Sequence, residues 1–339
     1  MDGRGHACIE VWRGSMVESR HRVAVAVVDA GGRLRARAGA ATTVTYARSA
    51  LKPIQALPLI EDGVAERFGL SARELALCCG SHGGELIHVE AAASILRKIG
   101  ADETALVCGP HAPLHPAAAK ALEAAGRLPR RLHNNCSGKH AGMLALARHH
   151  GWSMAGYEQA QHPLQQRVLD EVARWCGVPI DEIGTAVDGC GVITFALSLP
   201  ALARSFALLA AGARRSAQPS AASAIVRAMT RCPEYVGGTE RLCTELIRVT
   251  EGRVFAKVGA EGVYCAGVPG AELGIALKIE DGARRAAEPA LLAVLRTLGL
   301  LAQEELGELG RFAEPDVVNT RGERVGRVRA SLELEATDG

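Results

Sequence analysis

Ser49 and Lys52 stand one helical turn apart in the stretch Arg48-Ser-Ala-Leu-Lys-Pro53, at a predicted strand-to-helix junction. That spacing sets a hydroxyl and an amine on the same side of a helix, so the amine can reach the serine proton. A serine is a weak nucleophile until a base takes that proton, and a neutral lysine can serve. Neutrality is demanding. Moving an ammonium from about 10.4 to near 7 takes about 5 kcal/mol, which desolvation or neighbouring cations must supply. Arg48, adjacent in sequence, is such a cation. The bland alternative is a chance Ser-x-x-Lys in which Ser49 caps a helix and Lys52 is solvated.

Four more stretches have the composition of sites. Cys78-Cys-Gly-Ser-His-Gly-Gly-Glu85 sets Ser81 among glycines, which allow close backbone approach to a ligand and leave amides for an oxyanion hole. A tight turn after a buried strand would read the same. His133-Asn-Asn-Cys-Ser-Gly-Lys-His140 leads into an Ala/Leu-rich helix, whose N-terminus offers free N–H donors and positive partial charge. It lacks the Gly-x4-Gly-Lys frame of a phosphate loop, and His140 and Asn135 also suit capping roles. In Val187-Asp-Gly-Cys-Gly191, Asp188 suits an amine, and Cys190 could join Cys136 as thiolate ligands for a metal such as zinc. Two widely separated cysteines without a Cys-x2-Cys partner read equally as buried thiols. Lys257, at a predicted strand end before Val258-Gly-Ala-Glu-Gly262, could equally be a surface lysine.

The elements that must position these residues are legible from periodicity. Arg22–Asp29 and Leu34–Gly39, joined across Gly31-Gly32, predict a β-hairpin. After Tyr46-Ala-Arg-Ser49 the pattern turns helical to about Phe68, kinked by Pro53 and Pro58 or taking them in its first turn. Further helices are expected at about 89–99, 116–125, 139–150, 163–176, 199–211, 220–231 and 239–250, most with a Gly just past the end. Strands return at 253–257, 262–266 and 273–280, then a helix near 284–298 and a last alternating stretch over 324–335. Strands at both ends and helices between them argue for α+β. The Ala/Arg/Ser-rich 210–223 reads as a surface loop.

Composition excludes several classes. A chain of 339 residues buries roughly three-quarters of its unfolded surface and needs no disulfide or metal staple. With 39 Lys+Arg against 37 Asp+Glu, the net charge of +2 gives no broad field for nucleic acid or an anionic membrane. No apolar run reaches membrane-spanning length, and the first residues lack the pattern of a leader, so a cytoplasmic protein is expected. The ten cysteines are thinly spread, and each reads by default as a reduced, buried small hydrophobe.

Together the five stretches, in order from about residue 8 to 335, resemble the rhizobial-type (class 3) L-asparaginases, the asparaginase II family. The resemblance implies a fold similar to serine β-lactamases and glutaminases: a single unit over 1–339, with an antiparallel sheet from about 8–48 and 250–335 and a mainly helical region over about 49–250. It implies two Ser-Lys pairs as the catalytic residues, Ser49 with Lys52 and Ser81 with Lys257. By motif position it also implies a zinc ion held by Cys136, Lys139 and Cys190, and a homodimer. The expected reaction is hydrolysis of L-asparagine to L-aspartate and ammonia through a seryl acyl-enzyme, with Arg48 and His140 meeting the substrate α-carboxylate and Asp188 its α-ammonium. The same apparatus could serve glutamine or another small amide. A non-catalytic zinc or thiol sensor on this scaffold would require both Ser-Lys pairs to be vestigial, and both are intact.

Overall fold

A computed structural model describes residues 7–214 and 220–337. The first six residues, on which the leader reading partly rests, and 215–219 of the expected 210–223 loop lie outside them. The chain divides into two compact units. One holds the described residues of Met1–Ala50, Leu197–Ala211 and Glu245–Gly339; the other holds those of Leu51–Ala196 and Gly212–Thr244.

The first unit is built on a sheet to which both chain ends contribute. Its strands are β1 (Ala7–Arg13), β2 (Met16–Asp29), β3 (Leu34–Ala38), β4 (Phe255–Val258), β5 (Val263–Val268), β6 (Leu273–Ile279), β7 (Asp316–Val318), β8 (Arg324–Leu332) and β9 (Glu335–Ala336). The order is β7-β8-β1-β2-β6-β5-β4, with β3 on β2 and β9 on β3. All neighbours are antiparallel. The α+β class expected from element order is what the structure shows. Strand β2 forks: Arg22 faces Cys8 of β1, whereas Val25 lies between Ala38 of β3 and Leu277 of β6. Its first half alternates in exposure, and Val23–Val28 is buried at every position. An uninterrupted apolar run of that kind marks a strand covered on both faces. The helix Leu199–Arg214 contributes Phe206, which stacks on Phe255 of β4 at 5.8 Å.

The second unit is mainly helical. The helical pattern expected after Ser49, kinked or restarted at its prolines, is a 3-10 turn, Arg48–Leu51, and short helices Lys52–Gln55, Pro58–Glu61 and Val64–Arg67. Pro53 and Pro58 each open a new turn, because proline lacks the N–H that would continue the ladder. The Gly-rich stretch at Ser81 follows a helix, Ala72–Cys78, and not a strand. Ser71 and Glu74 close a capping box at its start, a local signal that outweighs the short apolar run. The helix expected over 239–250 begins only at Leu242.

Every residue of the helix Ser137–His150 from Ser137 to Ala147 is buried, as expected of a helix enclosed on all sides. Gly138 is what lets it lie against Ala72–Cys78: a Cβ there would stand 2.6 Å from the Leu77 carbonyl oxygen and 2.5 Å from its side chain. Gly138→Ala therefore forces backbone to move. We expect a loss of about 1–3 kcal/mol, read as a lower urea midpoint with an unchanged slope.

Candidate active site

In the helical unit, Lys52 is fully buried, with 1% of its surface exposed. Its amine donates to the Gly80 carbonyl at 2.6 Å, the Ser81 hydroxyl at 3.0 Å, the Cys136 sulfur at 3.1 Å and the Asn135 carbonyl at 3.4 Å. Two of the sequence stretches are thereby drawn onto a third. Ser81 is held by its own backbone, its N–H donating to the Val236 carbonyl at 2.9 Å. The amides of Gly80, His82 and Gly84 are likewise committed, to Leu77 O, Asn135 O and His82 Nδ1. The oxyanion hole expected around Ser81 thus has its nearest donors already in use.

Cys136 and Cys190 meet on the other side of the same amine. Cys190 sits in the turn between strands Gly184–Val187 and Ile193–Ser198, a hairpin tightened by Asp188 N–H to Val192 O at 2.8 Å. Its sulfur accepts from Lys139 Nζ at 3.0 Å and lies 3.7 Å from Asp188 Oδ2. A hydrogen bond from Cys190 has the largest influence on the Cys136 thiol. Burial opposes it, the charges of Lys52 and Lys139 reinforce it, and Cys136 is held well below the ordinary thiol range. Cys190 is pushed the other way by its bond to Cys136 and by burial, so it keeps the shared proton. Burial acts against the Lys139 charge, but Cys190 and Cys136 outweigh it and hold the ammonium above its usual value. All ten cysteines are buried, yet they are not alike: burial, helped by the neighbouring Cys136, pushes Cys108 up to about 12.

His82 and His140 are enclosed near this centre. His82 Nδ1 accepts from Gly84 N–H and its Nε2 lies 3.0 Å from the Ser137 hydroxyl. His140 Nδ1 lies 2.6 Å from the Tyr157 hydroxyl. Burial lowers both imidazoles well below their ordinary value, helped at His82 by His88 and at His140 by Lys139. An unfolded histidine titrates near 6.5, so below that pH the unfolded chain binds more protons than the folded one. Stability from these groups is therefore complete above about pH 7 and declines as pH falls, by up to about 1.4 kcal/mol per pH unit for each histidine. Urea midpoints should drop between about pH 7.5 and about pH 5.5; equal midpoints would show that both rings protonate inside the fold.

The sheet unit carries the other expected residues. Ser49 and Arg48 lie on the 3-10 turn Arg48–Leu51, both half-buried, and Arg48 takes a left-handed φ of 50°, which is costly for a side chain of this type. Lys257 is fully buried near the end of β4 and donates to the Val258 carbonyl at 2.8 Å. Gly259 runs so close to the chain before Ser49 that a Cβ there would meet the Ala47 carbonyl at 2.9 Å. Lys52, Ser81, Cys136, Lys139, His140, Asp188 and Cys190 thus share one unit, and Arg48, Ser49 and Lys257 the other. Tyr157 is the residue that motif reading missed: it lies in the loop after His150, where no periodicity or spacing marks it.

A sequence profile describing L-asparaginase II matches residues 9–330, nearly the whole chain. The chain belongs to the asparaginase II family. It is thereby an amidohydrolase acting on a small molecule. Among curated proteins none matches the chain by sequence. Among solved structures it is similar to the protein Mglu, at 16% identity over 86% of this chain and 67% of that one, with a TM-score of 0.45. Mglu in its native form gives 17% identity over 84% and 67%, at the same score. A β-lactamase from Mycobacterium bovis gives 16% over 81% and 94%, with a TM-score of 0.40. No helix among the described residues is long and apolar enough to cross a membrane.

Proposed function

We propose that this family member hydrolyses L-asparagine to L-aspartate and ammonia by serine-lysine catalysis. The observation that carries the reading is the fully buried Lys52 amine held 3.0 Å from a serine hydroxyl. Ser49, one turn before Lys52 in sequence, attacks the side-chain amide carbon while Lys52, as the neutral amine, accepts its proton. Ser81, already bonded to Lys52, passes the proton to the departing ammonia, and water then resolves the β-aspartyl ester by the reverse path. Lys257 is assigned to this relay by the family resemblance. Backbone amides would hold the oxyanion, each such donor being worth about 3 kcal/mol; Ala50 N–H beside Ser49 and His82 N–H beside Ser81 both have acceptors within the protein. Arg48 and His140 receive the α-carboxylate and Asp188 the α-ammonium.

One observation favours a second assignment of the serines. Lys52 donates to Ser81 at 3.0 Å, so Ser81 could be the nucleophile and Ser49 the relay.

A zinc site fits the donor types present. Among the described residues no cluster of three or more His, Cys, Asp and Glu side chains is set to hold a metal, so a site here needs the lysine. Cys136, Cys190 and Lys139 converge, and these three side chains would hold the ion. Lys139 holds its proton against the two thiols; a dication would displace it, as it would the Cys190 proton. When bound, zinc would polarise a substrate oxygen and lower nearby pKa values, the nucleophile being supplied by serine. The small net charge suits a zwitterionic substrate met by local groups, and a homodimer is carried over from the resemblance.

Ammonia release from L-asparagine, L-glutamine and a β-lactam tests the reading. Turnover of asparagine well above glutamine is expected, one methylene being worth about 1–3 kcal/mol; glutamine turned over as well or better would replace the substrate assignment. Cys190→Ala is expected to lose stoichiometric zinc in metal analysis, and full zinc retention would remove the thiol site.

A further inference from the structure

The hydrogen-bond chain Val107–Tyr157–His140 has a direction. Val107 N–H donates to the Tyr157 hydroxyl oxygen at 3.1 Å, and that oxygen lies 2.6 Å from His140 Nδ1. The Tyr157 side chain is fully buried, as is His140, and His140 Nε2 is enclosed without a hydrogen-bond partner. Two proton arrangements are available. If His140 carries its proton on Nδ1, the tyrosine oxygen accepts twice; the buried O–H is then left without an acceptor and Nε2 without a donor. If instead the tyrosine O–H donates to Nδ1, only one group is left unmade, the N–H on Nε2. A buried polar group left without its bond is costly, so the arrangement with fewer of them, the second, is selected. Burial also keeps the tyrosine protonated, pushing its phenol above the ordinary range.

We propose that Tyr157 is a positioning residue that locks His140 in the Nε2–H form, so that an enclosed, unpaired donor is held ready for an anionic oxygen of the ligand. The inference rests on the reading that His140 meets the substrate α-carboxylate. It adds the group that decides which ring nitrogen does so, as partners of the other ring nitrogen commonly do for histidine.

The test uses full-length protein labelled with 15N-histidine. Long-range proton–nitrogen spectra distinguish the protonated from the bare ring nitrogen, and the His140 signals are identified by their absence in His140→Gln. Wild type should show Nε2 protonated and Nδ1 bare without ligand; an Nδ1–H form or a mixture would overturn the proposal. Tyr157→Phe should give a mixture of tautomers and bind L-aspartate and L-glutamate about tenfold more weakly, the equivalent of one charged hydrogen bond. With turnover, KM should rise and kcat stay nearly constant. Unchanged affinity in Tyr157→Phe, or no response of His140 Nε2 to either amino acid, would overturn the ligand role. The tautomer readout needs no turnover, so failure of the asparaginase reading would leave it standing and be told apart.

Discussion

Ser49→Ala is expected to reduce asparagine turnover by about ten-thousandfold, with Ser81→Ala losing about a hundredfold to a thousandfold. The asymmetry follows from the two assigned roles. Without the nucleophile no acyl ester forms, whereas without the relay the base and solvent can still carry the proton. A relay needs only the base, and Lys52 already stands 3.0 Å from the Ser81 hydroxyl. Intact-mass measurement during turnover should find the acyl adduct on wild type and Ser81→Ala and none on Ser49→Ala. An adduct on Ser49→Ala that peptide mapping places on Ser81 would exchange the two roles. Ser49→Ala should unfold at the wild-type urea concentration, since a half-buried serine loses little on truncation, whereas Ser81→Ala removes a buried acceptor of the Lys52 amine and should unfold at a lower one.

Lys52→Met should cost about a thousandfold or more, and its effect reaches beyond the proton it carries. Methionine fills much the same volume in the buried site but cannot donate, so the Gly80 carbonyl and the Ser81 hydroxyl lose the bonds at 2.6 and 3.0 Å. Cys136 loses one of the two cations that lower it. Its alkylation by iodoacetamide should shift to higher pH than in wild type, because only the thiolate reacts. An unchanged alkylation profile would mean that Cys190 and Lys139 alone set the thiol, and a Lys52→Met enzyme with near wild-type turnover would remove this lysine from the reaction.

The stretches that carry the chemistry were readable because their residue types are costly to keep without a use. Ser, Lys, Cys, Asn and Gly crowded at the starts of helices and in turns satisfy no period of burial, so they stand out from the apolar pattern around them. The ends of most helices were readable for the complementary reason: Gly151 and Gly177 take the left-handed conformation that closes a helix. Failures came where a local bond overrode composition. The helix before Ser81 is set by the Ser71–Glu74 capping box, whereas Pro53 and Pro58 mark first turns, as their missing N–H predicts. Strand β1 has no strong period of its own, and it is placed by pairing with β2 and β8.

Sequence by itself determined the family, the α+β class and the residue types at the site, because each depends on chemistry or periodicity within a short window. Tertiary structure alone decided that the Lys52 amine meets Ser81 and Cys136, that the Cys136 thiol is drawn down and the Cys190 thiol pushed up, and that Tyr157 faces His140. Those are properties of distances between segments far apart in the chain. Proton position in a buried cluster depends on which donors and acceptors meet within about 3 Å, and no spacing along the sequence encodes that.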